Sequence, residues 1–192
     1  MNKKNKLVIG LTGPNAAGKG ETGKYLSKKG FLVWSLSDIL RQEARKRKIE
    51  PTRENLIVLG NSLRERYGAD ILAKRLSKQI LSSENEKFVV DSIRTVGEIN
   101  CLKKFFKKSF FLVYITAPLR RRFQFIRKRA RAGDPITFHQ FLEVEKKEKS
   151  NSATQQQIHK CRKLANFFVN NNSTIKNLYK KIDNILSKIC EK

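Results

Sequence analysis

One stretch decides the fold of this 192-residue chain: Leu7-Val8-Ile9-Gly10-Leu11-Thr12-Gly13-Pro14-Asn15-Ala16-Ala17-Gly18-Lys19-Gly20. Its first part is an apolar run that predicts a strand over residues 6–12. Its second part is a glycine-rich loop that leads into a predicted helix over residues 19–29. In this setting backbone N–H groups, a helix N-terminus and one lysine can hold the phosphates of a nucleotide. We therefore predict that residues 13–20 form a phosphate-binding loop, called the phosphate loop below.

The residue types of the phosphate loop predict ATP as the ligand, with GTP as the alternative. Gly13 and Gly18 allow the backbone to turn and approach the phosphates, and Lys19 would place its ammonium group on the β- and γ-phosphates. Gly20 stands where the usual pattern has a Ser or Thr that binds Mg²⁺, so we expect water, the nucleotide and a carboxylate elsewhere to hold the metal. The predicted nucleotide-binding residues are Gly13, Asn15, Ala16, Ala17, Gly18, Lys19, Gly20, Glu21 and Thr22.

Length and composition favour one compact domain over residues 1–192. Hydrophobic residues make up 39% of the chain and recur along its whole length, which argues against disorder. No apolar run approaches the roughly 20 residues that a membrane-spanning helix needs, and the run after the basic N-terminus is too short for a signal peptide. We therefore expect a cytoplasmic protein without membrane association.

The net charge of +25 is extreme for a chain of this size, with 42 Lys and Arg against 17 Asp and Glu. Such a charge attracts polyanions, nucleic acid among them, and steers nucleotides toward the surface. The alternative is a compositional bias toward Lys and Asn, as in the run Asn170-Asn171-Asn172. Three widely spaced cysteines match no metal-binding spacing, so we predict buried or incidental thiols at Cys101, Cys161 and Cys190.

Strands and helices alternate along the rest of the chain. Apolar runs predict further strands over residues 31–34, 88–91, 110–116 and 167–169. Helices are predicted over 37–46 with Ser37 as N-cap, 51–67, 69–81, around 99–106, over 118–130, after a Thr137 cap, and over 174–189. This alternation predicts an α/β fold with a parallel five-stranded sheet and helices on both faces. Ligands of such sheets bind beyond the carboxyl ends of the strands, where we expect the phosphate loop, Ser37-Asp38 and Asp91 with Arg94 to converge.

The phosphate loop is similar to that of adenylate kinase and its relatives, which also have Gly after the Lys. The segment Ser35-Leu36-Ser37-Asp38-Ile39-Leu40-Arg41 resembles the start of their helix that binds the nucleoside monophosphate. The similarity extends to a microbial group of kinase-like P-loop proteins related to dephospho-CoA kinase, through residues 51–56, 63–68, 90–94 and the turn Gly133-Asp134-Pro135. The resemblance implies a three-layer P-loop NTPase fold with acceptor-binding helices over about 37–82 and a lid over about 120–148.

The phosphate-loop chemistry, the strand-end positions, the local charge and the resemblance together predict roles for individual residues. Lys19, Asp91 and Arg94 would be catalytic, and Asp91 would either hold Mg²⁺ through water or accept a proton from an acceptor hydroxyl. Acceptor-binding candidates are Ser37, Asp38, Arg41, Arg64 and Arg94. Lid arginines that would act on the transition state are Arg122, Arg127, Arg129 and Arg131, with Glu143, Glu145 and Glu148 as neutralising carboxylates. Asn171, after the last strand, is the candidate contact to the donor base.

Three functions fit these features. The leading one is a small-molecule kinase that transfers the γ-phosphate of ATP to a nucleoside or deoxynucleoside monophosphate. The alternative enzyme phosphorylates a ribose hydroxyl, as dephospho-CoA kinase does, with Asp91 as the base. The third is a nucleotide-dependent protein associated with RNA or DNA, favoured by the net charge and by the basic segment 120–131. The oligomeric state is left open by the sequence.

Overall fold

The sheet of the computed structural model has five parallel strands, as predicted. The structure describes residues 6–130, 134–147 and 156–191. The strands are β1 (Leu7–Thr12), β2 (Leu32–Ser35), β3 (Lys87–Ile93), β4 (Phe110–Thr116) and β5 (Phe167–Asn170). Their order across the sheet is β2-β3-β1-β4-β5, so β1 and its phosphate loop lie at the centre of the sheet.

Helices connect the strands and cover both faces of the sheet. They are α1 (Lys19–Lys28), α2 (Leu36–Lys46), α3 (Arg53–Tyr67), α4 (Ile71–Ser82), α5 (Val96–Phe106), α6 (Leu119–Arg129), α7 (Phe138–Lys147), α8 (Ile158–Lys163) and α9 (Ile175–Cys190), with a 3-10 helix over Lys107–Ser109. Every helix in the described part of the chain is too short or too polar to span a lipid bilayer.

Two hydrophobic cores lie on opposite faces of the sheet because successive strand residues point to opposite sides. Leu112 of β4 packs into the core formed with α2, α3, α4, α5 and α8. Its neighbour Val113 packs into the core formed with α1 and α9. Burial on both faces explains why the central strands read as continuous apolar runs.

Two local predictions are wrong. Ser35, not Ser37, is the N-cap of α2: its hydroxyl accepts a hydrogen bond from the Ser37 N–H at 3.2 Å, because β2 runs directly into the helix. The strand β3 does not end at Asp91 but continues through Ser92 to Ile93. Ser92 has a φ of 65° beside a register shift in β1, so a β-bulge follows Asp91.

Candidate functional site

The phosphate loop requires glycine at two positions. Gly13 has a φ of 132°, and a Cβ there would lie 2.0 Å from the Ile115 carbonyl oxygen. Gly18 has a φ of 109°, and a Cβ there would lie 2.5 Å from the side-chain nitrogen of Asn171. The loop is therefore packed against the ends of β4 and β5, and its conformation is set by these neighbours as well as by its own sequence.

We expect Gly13→Ala to destabilise the protein by more than about 2 kcal/mol, because it combines a strained φ with a backbone clash. Gly30→Ala is the matched control, since Gly30 also has a positive φ of 85° but a Cβ there would meet no atom within 4 Å. Urea unfolding of both variants separates the two contributions. Equal losses of stability in the two variants would show that the clash with the Ile115 carbonyl oxygen adds nothing to the cost of the strained φ.

Lys19 is directed back over the phosphate loop. Its ammonium group donates hydrogen bonds to the carbonyl oxygens of Gly13 at 2.8 Å and Pro14 at 2.7 Å. The lysine follows Gly18 directly and is the first residue of α1. A positive charge, a helix N-terminus and a turned backbone therefore meet at one place, which is the arrangement that favours a bound phosphate group.

Two arginines of α6 contact the phosphate loop at Asn15. Arg122 donates from Nη1 to the Asn15 carbonyl oxygen at 3.2 Å, and Arg129 donates from Nη1 to the Asn15 side-chain oxygen at 3.3 Å. Both arginines also form bidentate ion pairs. Arg122 pairs with Glu145 of α7 at 2.8 and 2.6 Å, and Arg129 pairs with Asp134 at 2.8 and 2.7 Å. The structure thus brings together the phosphate loop and two of the four predicted lid arginines.

The other two predicted lid arginines are placed differently. Arg127 is exposed and donates to the Ile136 carbonyl oxygen at 2.8 Å. Arg131 lies outside the described residues, as does Glu148. Glu143 pairs with Lys146 at 3.0 Å, and Glu145 pairs with Arg122 at 2.6 Å, so Glu145 is a predicted carboxylate that neutralises this cluster.

Asn171 forms hydrogen bonds that hold the phosphate loop against the end of the sheet. Its side chain donates to the Ala17 carbonyl oxygen at 3.1 Å, and its backbone N–H donates to the Thr116 carbonyl oxygen at 2.7 Å. The side chain is buried. Asn171 therefore contacts the loop backbone in this structure, and a contact to a donor base stays a prediction.

The residues after Lys19 divide between surface and interior. Gly20 is exposed, and Glu21 pairs with Lys24 at 2.9 Å on the surface of α1. Thr22 is fully buried, and its hydroxyl has no hydrogen-bond partner within the described residues.

Asp91 lies opposite Ser35 in the pairing of β3 with β2. Its Oδ1 accepts a hydrogen bond from the Ser92 N–H at 2.6 Å. The Ser92 hydroxyl in turn accepts a hydrogen bond from the Ser35 hydroxyl at 3.0 Å. Within the ranges that the structure describes, Asp91 forms no ion pair, and no three His, Cys, Asp or Glu side chains come together as a metal site. Any Mg²⁺ bound here would thus rely on one carboxylate together with water and the nucleotide.

The predicted acceptor residues fall into two groups. Asp38 and Arg41 face solvent on α2 beside Ser37 and form an ion pair at 3.4 Å. Arg64 of α3 is 4% exposed and pairs with the fully buried Glu98 of α5 at 3.0 Å. The buried pair joins the predicted acceptor-binding helices to the helix that follows β3.

Glu98 is the residue that the sequence analysis missed most clearly. Its carboxylate also accepts the backbone N–H groups of Arg94 at 2.8 Å and Thr95 at 3.1 Å, and the Thr95 hydroxyl accepts the Glu98 N–H. This reciprocal capping box is readable from the spacing Thr95-x-x-Glu98. Glu98 thereby holds the backbone of Arg94, whose guanidinium donates to Gln156 at 2.6 Å. Asp134, within the predicted turn 133–135, is the second missed residue.

Three groups on the α8 side of the sheet have raised pKa values. Burial, aided by the Glu98 carboxylate, raises the pKa of the Cys161 thiol to about 12. Burial, aided by Asp70, raises the pKa of the Cys101 thiol to about 11. Burial also raises the pKa of Tyr114, although Arg162 and Arg122 oppose the shift. All three side chains therefore stay protonated at neutral pH, and neither thiol is a nucleophile.

Comparison with known proteins identifies the family. The family model described as AAA domain matches residues 9–160. A UPF0200 protein of Hyperthermus butylicus is 36% identical over 141 residues, which cover 73% of this chain and 75% of that protein. A UPF0200 protein of Pyrococcus horikoshii is 31% identical over 186 residues, which cover 95% of this chain and 97% of that protein. The chain belongs to the UPF0200 family.

The fold of this UPF0200 chain is that of the P-loop kinases. A shikimate kinase from Acinetobacter baumannii, solved in complex with shikimate, superposes with a TM-score of 0.56 over 96% of this chain and 95% of that chain. The two sequences are 17% identical, so the likeness concerns the fold alone. The predicted three-layer P-loop NTPase fold and the resemblance to the kinase-like group are both confirmed.

Proposed function

We propose that this UPF0200 protein is a phosphotransferase that moves the γ-phosphoryl group of ATP to the phosphate of a nucleoside or deoxynucleoside monophosphate. The main support is that three cationic side chains contact one loop. Lys19 donates to the carbonyl oxygens of Gly13 and Pro14. Arg122 and Arg129 both donate to Asn15. Transfer of a phosphoryl group needs positioning and charge neutralisation more than covalent help from the protein.

Donor binding would use the phosphate loop itself. The N–H groups at the start of α1 and the Lys19 ammonium group would hold the β- and γ-phosphates, and Lys19 would exchange its two carbonyl partners for phosphate oxygens. GTP would fit the same contacts, since none of them reads the base. When bound, Mg²⁺ would neutralise charge on the β- and γ-phosphate oxygens, and Asp91 would orient a water ligand toward it.

Arg122 and Arg129 would act on the transferring group. Each guanidinium already presents two N–H donors to a carboxylate, which is the geometry that also fits two oxygens of a phosphoryl group. If phosphate oxygens replaced Glu145 and Asp134 as partners of these arginines, α6 and α7 would close over the loop as the predicted lid. Closure of a lid excludes water and limits wasteful hydrolysis of ATP.

The acceptor would lie between α2 and the end of β3. Asp38 and Arg41 are exposed there, and Arg94 is held at the far end of β3 by Glu98 and Gln156. Arg64 would act as a positioning residue, since its guanidinium is committed to Glu98 in the interior. An arginine can bind a phosphate through two parallel hydrogen bonds, so Arg41 or Arg94 would suit the acceptor phosphate.

A second candidate is phosphorylation of a ribose hydroxyl, as in dephospho-CoA kinase. It is favoured by Asp91, whose carboxylate has no cationic partner within the described residues and lies at the carboxyl end of the sheet. Such a carboxylate can accept the proton of an attacking hydroxyl. In a nucleoside monophosphate kinase the acceptor is a phosphate oxygen, which needs no base.

A phosphoryl-transfer screen distinguishes these functions. Purified protein is incubated with Mg²⁺, with ATP or GTP, and with a panel of ribo- and deoxynucleoside monophosphates and dephospho-CoA. We expect transfer to one class of acceptor, its loss in Lys19→Ala, and its retention in Lys24→Ala, an exposed lysine of the same helix. Loss of turnover in Asp91→Asn with nucleotide binding retained would favour the hydroxyl acceptor. Tight ATP binding without transfer to any acceptor would contradict both.

A further inference from the structure

An open groove lies beside α8, on the side of the sheet away from α1 and α9. It has a volume of about 510 Å³ and is lined by Tyr114, His159, Arg162, Lys163 and Phe168. Cavities that bind small ligands range over about 300–1,000 Å³, so the space suits a group of the size of one nucleotide. The lining residues belong to β4, β5 and α8, and none of them is part of the phosphate loop or of the proposed acceptor site.

The floor of the groove is aromatic. Tyr114 and Phe168 are paired across β4 and β5, and their ring centroids are 6.2 Å apart. Phe168 is 59% exposed, although its strand neighbour Val169 is buried in the core below. An aromatic face left open to solvent on an edge strand is a surface on which a nucleobase can stack.

The wall of the groove is positively charged. The guanidinium of Arg162 lies 6.0 Å from the centroid of the Tyr114 ring, and Lys163 is the next residue of α8. Helix α8 carries no acidic residue. Neither Arg162 nor Lys163 pairs with a carboxylate in residues 6–130, 134–147 and 156–191, so both charges are available to an anionic ligand.

We propose that this groove binds a nucleotide unit of a single-stranded nucleic acid, with the base stacked on Phe168 and the backbone phosphates on Arg162 and Lys163. Aromatic platforms flanked by cations bind single strands without sequence preference. A strand is favoured over a free nucleotide because the groove is open and because the charge of +25 attracts a polyanion along its whole length. A duplex is disfavoured, since its bases are already stacked on one another.

The test uses fluorescence anisotropy of a short labelled oligouridylate with the full chain. We expect Phe168→Ala to weaken binding about fivefold or more, because stacking on one side chain contributes that much, and Phe168→Trp to restore it. We expect the double variant Arg162→Ala with Lys163→Ala to reduce the salt slope of binding by about 1.4, which is the value for two lost phosphate contacts on a single strand. The matched control is Lys180→Ala with Lys188→Ala, two exposed lysines of α9 across the sheet.

Competition with unlabelled ligands decides the class of ligand. An unlabelled single strand should displace the label at a lower concentration than duplex RNA does, and uridine monophosphate should displace it least. Three results would overturn the proposal. They are an unchanged affinity in Phe168→Ala, an equal loss in the α9 control, and displacement by uridine monophosphate as effective as by the strand. The first two would leave only diffuse electrostatic association, and the third would assign the groove to free nucleotides.

Discussion

The double variant Arg122→Gln with Glu145→Gln is expected to lower the phosphoryl-transfer rate by about 10³-fold or more, the effect of losing an arginine that stabilises the transition state. Arg122 is the buried arginine of α6, it contacts Asn15 of the phosphate loop, and its pairing with Glu145 spans 2.6 and 2.8 Å. Removing both charges avoids leaving an unpaired charge in the interior, which would itself destabilise the protein. The affinity for ATP should change less than tenfold, because Lys19 and the loop N–H groups are untouched.

The measurement is a single-turnover rate with the acceptor identified in the screen, beside an ATP titration and a thermal melt. Arg120→Gln is the matched control, since Arg120 is an exposed arginine of the same helix and its loss should leave the rate unchanged. If the double variant unfolds, Arg122→Lys keeps the charge but loses the fork of two donors, and we expect it to be about 10²-fold slower. A folded double variant with the wild-type rate would remove Arg122 from the catalytic machinery.

Glu98→Ala is expected to destabilise the protein by about 3–5 kcal/mol, the usual cost of breaking a buried ion pair from one side. The carboxylate is fully buried and accepts hydrogen bonds from Arg64, from the Arg94 N–H and from the Thr95 N–H. Its loss leaves a buried guanidinium and two backbone donors without their acceptor. In urea the midpoint of unfolding should fall by more than about 1 M.

Two further variants separate charge from hydrogen bonding at this pair. Arg64→Met with Glu98→Gln removes both charges but keeps an oxygen for the two N–H groups, so we expect it to recover most of the stability. Glu143→Ala breaks a surface pair with Lys146 and should change stability by less than about 0.5 kcal/mol. If the recovered variant also keeps the wild-type KM for the acceptor, Arg64 positions helices and does not bind substrate. A loss in Glu98→Ala no larger than in Glu143→Ala would contradict the argument.

The order of strands and helices could be predicted because each signal is local. The apolar run over 110–116, the helical spacing of apolar residues in α9 and the glycines of the phosphate loop are signals that act within a few residues. Helix α8 could not be predicted in the same way, since its six residues carry only one buried side chain, Cys161. The boundary of α2 was misplaced because Ser35 and Ser37 are equally good caps, and only the length of β2 selects between them.

The partners of the site residues could be predicted less well, because they depend on contacts between distant segments. Nothing near Arg64 in the sequence indicates that its partner is Glu98, 34 residues away. The basic segment 120–131 predicted a cluster of arginines, but only the fold shows that Arg122 and Arg129 reach Asn15 while Arg127 does not. The charge and the motif thus predicted a phosphate-binding site with nearby arginines. The packing of α6 determines which arginines reach the phosphate loop.

The hydrogen bond from Asn171 to the phosphate loop limits how far the chain can be truncated from its C-terminus. The family model ends at residue 160, before β5 and α9. A fragment that stopped there would expose the hydrogen-bonding edge of β4 and would lose both the amide beneath Ala17 and the helix that covers one core. The domain model is therefore shorter than the folding unit, and residues 161–191 complete the sheet and support the phosphate loop although they lie outside that model.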